Sequence, residues 1–592
     1  MKKLFLFAMV AAALSGCSNS DDADIKSEVQ PGGEGYVGFS IQLPTVPGTR
    51  ANDEFDDGDP VPDEYTVYNA TLFIFKGTSE ATATFDSAYP MSINTFTADA
   101  DSHDQCTTEG IVTSKITKPE TSGVNLYAYV MINSNDMINL TAKTIGGENY
   151  DGITFTDFSK ITLSSIGNLT NGMVMTNAPV ANIQGGSTAP TGANITTLTK
   201  LDADKIHATQ TAAEADPAGD VYVERAAAKV TVKTSGSMSG SISGSSATYT
   251  EASIRWALSN VNSKYYNTRQ MSETWLELHA QGDGSNKNIE GSVPTATEYR
   301  FVSGQEIHTN VYRTYWGEDV NYTGNTDITP TPATIGNSSG ESVYTFENTF
   351  DVDNQIVKNS TGIAISATFN DGNSFYTADT YGENNILQEP TYSGTGRIQD
   401  YIMTYLCNNY SAFNTWYAAN SNNRITVTMD NTNPTQAKVD AVTTISGADA
   451  LPATFDENKI KTKVNASIKF KYYADGVAYY NILIKHFGDS ETPWKRDNHT
   501  ENDVTGVYKK INGTTLTTSP SPNDNYLGRY GVLRNNWYQI EVTGIRQIGN
   551  PTVINPSDPG TGGDNPDDNV DNYLSVKIHI TPWAVRKQSV VL

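Results

Sequence analysis

Apolar residues recurring at every second position, in short runs closed by Gly, Pro, Asn or Ser, constrain this 592-residue chain more than any other feature. That period puts one side of an extended segment into a core and leaves the other side facing out. It is clearest at Gly35 to Leu43, where Val37, Phe39, Ile41 and Leu43 alternate with Gly38, Ser40 and Gln42. Strand runs follow at Val67 to Lys76, Val124 to Asn133 and Val221 to Val232, and again at Ser253 to Asn260, Ser342 to Phe350, Gly362 to Phe369, Ile425 to Met429, Ala466 to Tyr473, Val477 to His486, Trp537 to Ile545 and Leu574 to Trp583. A helical period is held only at Gly396 to Asn408 and Asn414 to Ala419, which predict one surface helix. The class is therefore mostly β, with long loops and few short helices.

The Asp-, Ala- and Thr-rich stretch Leu201 to Gly219 reads as a passage between domains. It divides the chain into an N-terminal domain over 51–220 and a C-terminal domain over 221–592, with the boundary within about ten residues of 220 and the Val221 strand either closing the first domain or opening the second. Thr234 to Ser246 reads as a flexible loop, and Pro551 to Asp571 as a long exposed loop before the final two strands. With 40 Lys and Arg against 66 Asp and Glu, the net charge of -26 repels phosphate backbones and excludes nucleic acid as a partner.

The amino terminus sets the compartment. Lys2 and Lys3 precede an apolar run from Leu4 to Leu14, shorter than the ~20 residues a bilayer-spanning helix needs, so residues 1–16 read as a signal peptide. The sequence Leu14-Ser15-Gly16-Cys17 resembles the lipobox of bacterial lipoproteins, which implies acylation (palmitate) at Cys17 and an outer-membrane lipoprotein precursor. Residues 17–50 then form a propeptide containing the Gly35 to Leu43 strand. Beyond that strand lie Pro44, Pro47, Gly48 and Thr49-Arg50-Ala51, followed by an acidic run from Asn52 to Asp59 with Pro60 and Pro62. This composition stays extended and open to proteases, so a well-formed strand hangs on a cuttable loop. Cys106 and Cys407 are the other two thiols, and the sequence leaves their proximity open.

Several segments resemble the fimbrillin superfamily of Bacteroidia pili, the type V pili, and in particular Mfa-like shaft subunits of minor fimbriae. They are Phe73-Ile74-Phe75, Tyr127-Ala128-Tyr129-Val130 with Asn133, Met175-Thr176-Asn177, Val223-Glu224-Arg225-Ala226-Ala227-Ala228-Lys229-Val230, Tyr315-Trp316-Gly317-Glu318-Asp319, Phe346-Glu347-Asn348-Thr349, Ala478-Tyr479-Tyr480 with His486, Leu527 to Val532 with Arg534 to Tyr538, and Trp583 to Leu592. Phe346 stands where the family pattern leads one to expect Cys. The resemblance implies two transthyretin-like β-sandwich domains in tandem and an assembly route. A lipidated precursor reaches the surface, an arginine-specific protease cuts between Arg50 and Ala51, the strand bearing Val37, Phe39, Ile41 and Leu43 departs, and the C-terminal strand of an identical subunit fills the groove. Other fimbrial anchor and tip subunits and a host or bacterial receptor complete the implied partners, and the product is an extracellular fimbrium.

The residues support that route on their own terms, because a groove stripped of four apolar side chains is sticky until another strand augments the sheet. Donor and acceptor being different surfaces, the contact propagates as an open filament. The donor candidate is the last strand, with Ala584, Arg586, Gln588, Val590 and Leu592 on one face and Val585, Lys587, Ser589 and Val591 on the other. The Val590 and Leu592 face is favoured.

Catalytic readings find no support, and no cofactor or metal is expected. Gly336-Asn337-Ser338-Ser339-Gly340 has the spacing of a nucleophile elbow, yet Pro330 and Pro332 precede it where a strand is required. Gly394-Thr395-Gly396 lacks the third Gly of a dinucleotide fingerprint. The seven His show no paired spacing, and His486 reads as a structural hydrogen-bonder. Asp564 to Asp571 lacks ordered calcium-loop spacing and reads as a solvated acidic loop. Two functions remain: the structural shaft subunit, or a tip adhesin or surface glycan-binding lipoprotein stacking sugars on Trp256, Trp275 or Trp316. An Arg-cuttable first strand combined with a terminal donor strand separates the first from the second.

Overall fold

A computed structural model describes residues 29–44, 64 to 271 and 302 to 486 with short gaps, 530–555, and the strand backbones 510–511, 514–515, 575–581 and 585–591. Cys17, Arg50, Ala51, Trp275, Ala584 and Leu592 lie outside the described residues.

The period-two runs form strands where the sequence places them. In the first half these are β1 (Glu34–Pro44), β2 (Ala70–Gly77), β3 (Thr84–Pro90), β4 (Ser92–Ile93), β5 (Cys106–Thr117), β6 (Asn125–Ile132), β7 (Met175–Asn177) and β8 (Asp220–Arg225). They join in one sheet in the order β3-β2-β6-β7-β8-β1-β5-β4. The sheet folds over itself, so that Val37, Phe39 and Ile41 of β1 share a core with Leu72 and Ile74 of β2, Ala128 and Val130 of β6, and Val221 and Val223 of β8. The opposite face of β2 and β6 is buried as well. There Phe73, Phe75 and Tyr129 meet Tyr150, Phe155 and Phe158 in tilted and edge-to-face contacts with ring centroids such as Phe73–Phe158 at 5.2 Å and Phe75–Phe155 at 5.3 Å. Phe73-Ile74-Phe75 is an unbroken apolar run because both of its sides are covered.

The second half builds β9 (Ala228–Thr234), β10 (Arg255–Ser259), β11 (Ser342–Thr345), β12 (Gly362–Thr368), β13 (Val477–Leu483), β14 (Trp537–Gly544), β15 (Ser575–Thr581) and β16 (Val585–Val591). Two sheets, β11-β9-β14-β16-β15 and β10-β12-β13, enclose a core of Val230, Val232, Trp256, Ile363, Ile365, Tyr480, Ile482, Tyr538 and Ile540. The fold is mostly β and of sandwich type.

Four sequence expectations change. The chain passes from the first sheet to the second between Arg225 and Ala228, and Leu201 to Gly219 is no linker: it folds back over β1 and contains the short helix α1 (Gln210–Ala215). The expected lone surface helix is instead a packed module of α2 (Ile398–Asn409), α3 (Ser411–Ala419) and α4 (Glu457–Ser467) with the hairpin Ile425–Asp430 and Lys438–Thr444. Its own core includes Leu406, Phe413, Trp416, Ile460 and Val464. Helix α4 occupies part of the expected Ala466 to Tyr473 strand because Asp456 caps its first turn, accepting from the Lys459 N–H at 2.8 Å; the strand itself begins at Phe470. Finally, Thr234 to Ser246 is not all loop, since Gly240–Ser241 pairs with Thr248–Tyr249.

Candidate functional site

The site consists of β1 and the slot that holds it. β1 is an inner strand. On one side it runs antiparallel to β5, from Glu34 opposite Thr117 to Pro44 opposite Cys106. On the other it runs parallel to β8, with Ser40, Ile41 and Gln42 opposite Asp220, Val221 and Tyr222. Ahead of that short ladder, the Ile206 to Gly219 strap satisfies the same edge. Tyr36 and His207 exchange both backbone hydrogen bonds at 2.7 Å, the Ala218 N–H donates to the Gly38 carbonyl at 2.7 Å, and the Ser40 N–H donates to the Gly219 carbonyl at 3.1 Å.

Val37, Phe39 and Ile41 are each 0% exposed. Burial of three such side chains contributes roughly 1.5–3 kcal/mol apiece, so the first core depends substantially on β1. The outward face is tight at one point. A Cβ on residue 38 would lie 2.2 Å from the Ala213 carbonyl oxygen of α1, so only glycine fits beneath the strap as it now stands. Leu43 continues the strand at a position where only the backbone is described.

The chain beyond the expected cut is firmly held. Glu64 is 2% exposed; its carboxylate pairs with Lys229 Nζ at 2.8 Å and accepts from the Tyr344 hydroxyl, and its carbonyl accepts from Arg225 Nε at 2.7 Å. Glu64, the first described residue after β1, is thereby tied to Arg225 at the end of β8 and to Lys229 of β9 ahead of β2.

Four of the motifs that carry the family resemblance, those containing Glu224, Asp319, Glu347 and Arg534, meet at buried polar contacts near this seam. Glu224 accepts from Arg269 Nε and Nη2, each at 3.0 Å, and Arg534 Nε donates to Glu347 Oε2 at 2.8 Å. Burial works against the Arg534 charge, but the Glu347 carboxylate beside it raises its pKa above the ordinary arginine value. Asn535 accepts from Arg225 Nη1 at 3.1 Å and from Arg313 Nη2 at 2.9 Å. Asp319, whose pKa burial pushes well up, accepts from Asn262 Nδ2 at 2.6 Å and the Thr349 N–H at 3.0 Å. Glu224, Arg225, Lys229, Glu347, Arg534 and Asn535 were legible as motif residues; their partners Glu64 and Arg269 carried no local signal.

The last strand is placed differently from the expectation. β16 is not a free terminal strand: it lies inside its sheet, parallel to β14 from Trp537 opposite Val585 to Gly544 opposite Val591, and antiparallel to β15 along its whole length. The edge strand is β15, which reaches β14 only through β16.

The other singled-out residues are structural. Trp256 and Trp316 are 1% and 0% exposed, which removes both as stacking platforms for sugars. His486 bridges the Tyr538 hydroxyl and the Tyr315 carbonyl, both at 2.7 Å. Ser339 Oγ accepts from the Thr234 N–H at 2.9 Å in a loop whose Asn337 bridges Trp256. Cys407 carries a free thiol, and the Cys106 side chain lies outside the described atoms. Glu80, unmarked in the sequence, borders a cavity of about 340 Å³ together with Phe155, Arg269 and Gln270. Its carboxylate accepts from the Thr197 and Leu198 N–H groups, and burial raises its pKa to about 7.

Among solved structures, a fimbrilin from Porphyromonas gingivalis W83 overlaps 94% of this chain and 96% of its own at 12% identity and a TM-score of 0.30. A fimbrial assembly protein from Parabacteroides distasonis ATCC 8503 overlaps 57% and 82% at 11% identity and a TM-score of 0.23. Overlaps this loose carry no functional reading. No curated protein matches. Residues 507–589, which contain Arg534, β14, β15 and most of β16, match the family described as major fimbrial subunit protein type IV, fimbrillin, C-terminal, and over that segment the chain is fimbrillin-like.

Proposed function

We propose that the chain is a structural subunit of a cell-surface fimbria that polymerises by strand exchange after proteolysis. The observation that carries this reading is the position of β1. It is an inner strand with Val37, Phe39 and Ile41 fully buried, yet a segment containing Arg50 joins it to the body and the chain resumes at the pinned Glu64. Cutting between Arg50 and Ala51 turns an intramolecular strand into a dissociable peptide. Its departure leaves a slot bordered by two hydrogen-bonding edges, β5 and β8, which only another strand satisfies.

A strand from the C-terminal end of a second copy supplies the replacement, and head-to-tail repetition of that contact makes a filament. In this reading Cys17 anchors the precursor to the outer membrane, an arginine-specific protease triggers assembly, anchor and tip subunits cap the fibre, and the fibre supports adhesion. A shaft position follows from the chain both accepting and donating. The tip-adhesin or glycan-binding alternative loses two of its three stacking residues to burial. Trypsin-like cleavage at Arg50 tests the proposal: SDS-resistant ladders are expected from the cleaved protein and none from Arg50→Ala. Monomers persisting after complete cleavage refute it.

A further inference from the structure

The slot has a shape that selects its occupant. Along β1 it needs apolar residues at the positions of Val37, Phe39 and Ile41, and by sequence also Leu43. Between the first two it tolerates almost nothing, because the Ala213 carbonyl lies over Gly38. The pattern required is apolar, minimal, apolar, free, apolar, free, apolar.

The last strand does not offer it. It has two small residues: Ser589 at Gly38 puts Gln588 at the Val37 position and ends the chain at the Ile41 position, and Ala584 at Gly38 puts Lys587 at the Ile41 position. The preceding segment matches throughout: Leu574-Ser575-Val576-Lys577-Ile578-His579-Ile580. Building on the polymerisation reading above, we infer that Leu574 to Ile580 of a second copy is the segment that refills the slot, in the register that sets Leu574 at Val37, Ser575 at Gly38, Val576 at Phe39, Ile578 at Ile41 and Ile580 at Leu43.

Charge placement supports the same register. β1 holds Ser40 opposite Asp220 on β8 and Gln42 opposite Glu109 on β5. Substituting the donor sets Lys577 opposite Asp220 and His579 opposite Glu109, two opposite-charge cross-strand pairs where β1 has none when His579 is protonated. Advancing the donor by one pair of residues sets Val576 at Val37 and drives Lys577 into the Gly38 position beneath Ala213. Serine is the smallest residue of the donor run and asks for the least retreat of the strap, which a new strand holds over the slot by remaking the backbone hydrogen bonds that β1 gives to His207, Ala218 and Gly219.

The donor is also available. Residues 556–574 separate β15 from the last described residue ahead of it, a length of chain that spans at most on the order of 60 Å. Departure of β15 and β16 from the parent sheet breaks the parallel ladder to β14, and seating Leu574 to Ile580 between β5 and β8 also breaks its antiparallel ladder to β16.

Disulfide trapping reads the register directly, in protein with Cys106 and Cys407 changed to Ser and cleaved at Arg50. Lys577→Cys combined with Asp220→Cys is expected to give intersubunit disulfides throughout the ladder. Crosslinking through His579→Cys with Asp220→Cys instead, or through Ser589→Cys with Thr113→Cys, overturns the assignment while leaving polymerisation intact. No polymer from the cleaved parent protein removes the polymerisation reading and this assignment with it. A second arm uses peptides. A synthetic 573–582 peptide is expected to cap the cleaved subunit and suppress the ladder at least tenfold more effectively than 583–592, and the reverse order refutes the inference.

Discussion

Phe39→Ala separates the precursor from the polymer in one substitution. Phe39 is 0% exposed in the middle of β1, between Val37 and Ile41, and it belongs to a strand that the proposed reaction discards. Truncating a buried Phe to Ala costs about 3–5 kcal/mol, the transfer loss plus the cavity left behind. The whole cost falls on the uncleaved subunit. For a cooperative domain of roughly 150–250 residues this lowers the melting temperature by on the order of 10 °C. After cleavage the mutated peptide is gone, so the filament's stability is expected to match that of the parent. Assembly is expected to accelerate, because the departing strand is held less tightly. The assay is a melting curve on the precursor and on purified polymer, with ladder formation timed after trypsin-like cleavage. Equal destabilisation of precursor and polymer would show that β1 stays in its own subunit and would refute the reasoning.

Other expectations concern the seam and the cores. Glu347→Gln leaves the buried Arg534 guanidinium without its counter-ion and is expected to destabilise the chain by about 3–5 kcal/mol, read as a lowered denaturant midpoint. Gly38→Val places a side chain against the Ala213 carbonyl and is expected to lower precursor stability, whereas the same change leaves the polymer untouched once β1 has gone. Glu80 supplies a pH dependence. Its pKa is raised from 4.5 to about 7, so the folded state binds an extra proton between those values and stability declines as pH rises through that window. Glu80→Gln is expected to flatten the melting-temperature profile between pH 5 and 8, and an unchanged slope would exclude Glu80 as its source.

The alternation in Gly35 to Leu43 and Trp537 to Ile545 and the unbroken apolar run Phe73-Ile74-Phe75 were legible because both patterns lie in the chain itself. So were the arms of the seam, as short motifs containing Glu224, Glu347 and Arg534. Helix α4 was not, since Asp456 and two buried positions, Ile460 and Val464, make a weak local pattern that packing completes.

By itself the sequence determined most of the strand segments, which of their faces are apolar, and that a stretch containing Arg50 follows the first of them. These properties belong to neighbours along the chain. Tertiary structure decided that β1 is an inner strand, that Leu201 to Gly219 closes over it, that Glu64 meets Lys229, and that β16 rather than β15 is the enclosed strand of the C-terminal pair. Sheet order depends on contacts between segments hundreds of residues apart, and two strands with the same alternation are distinguished only by what lies on either side of them.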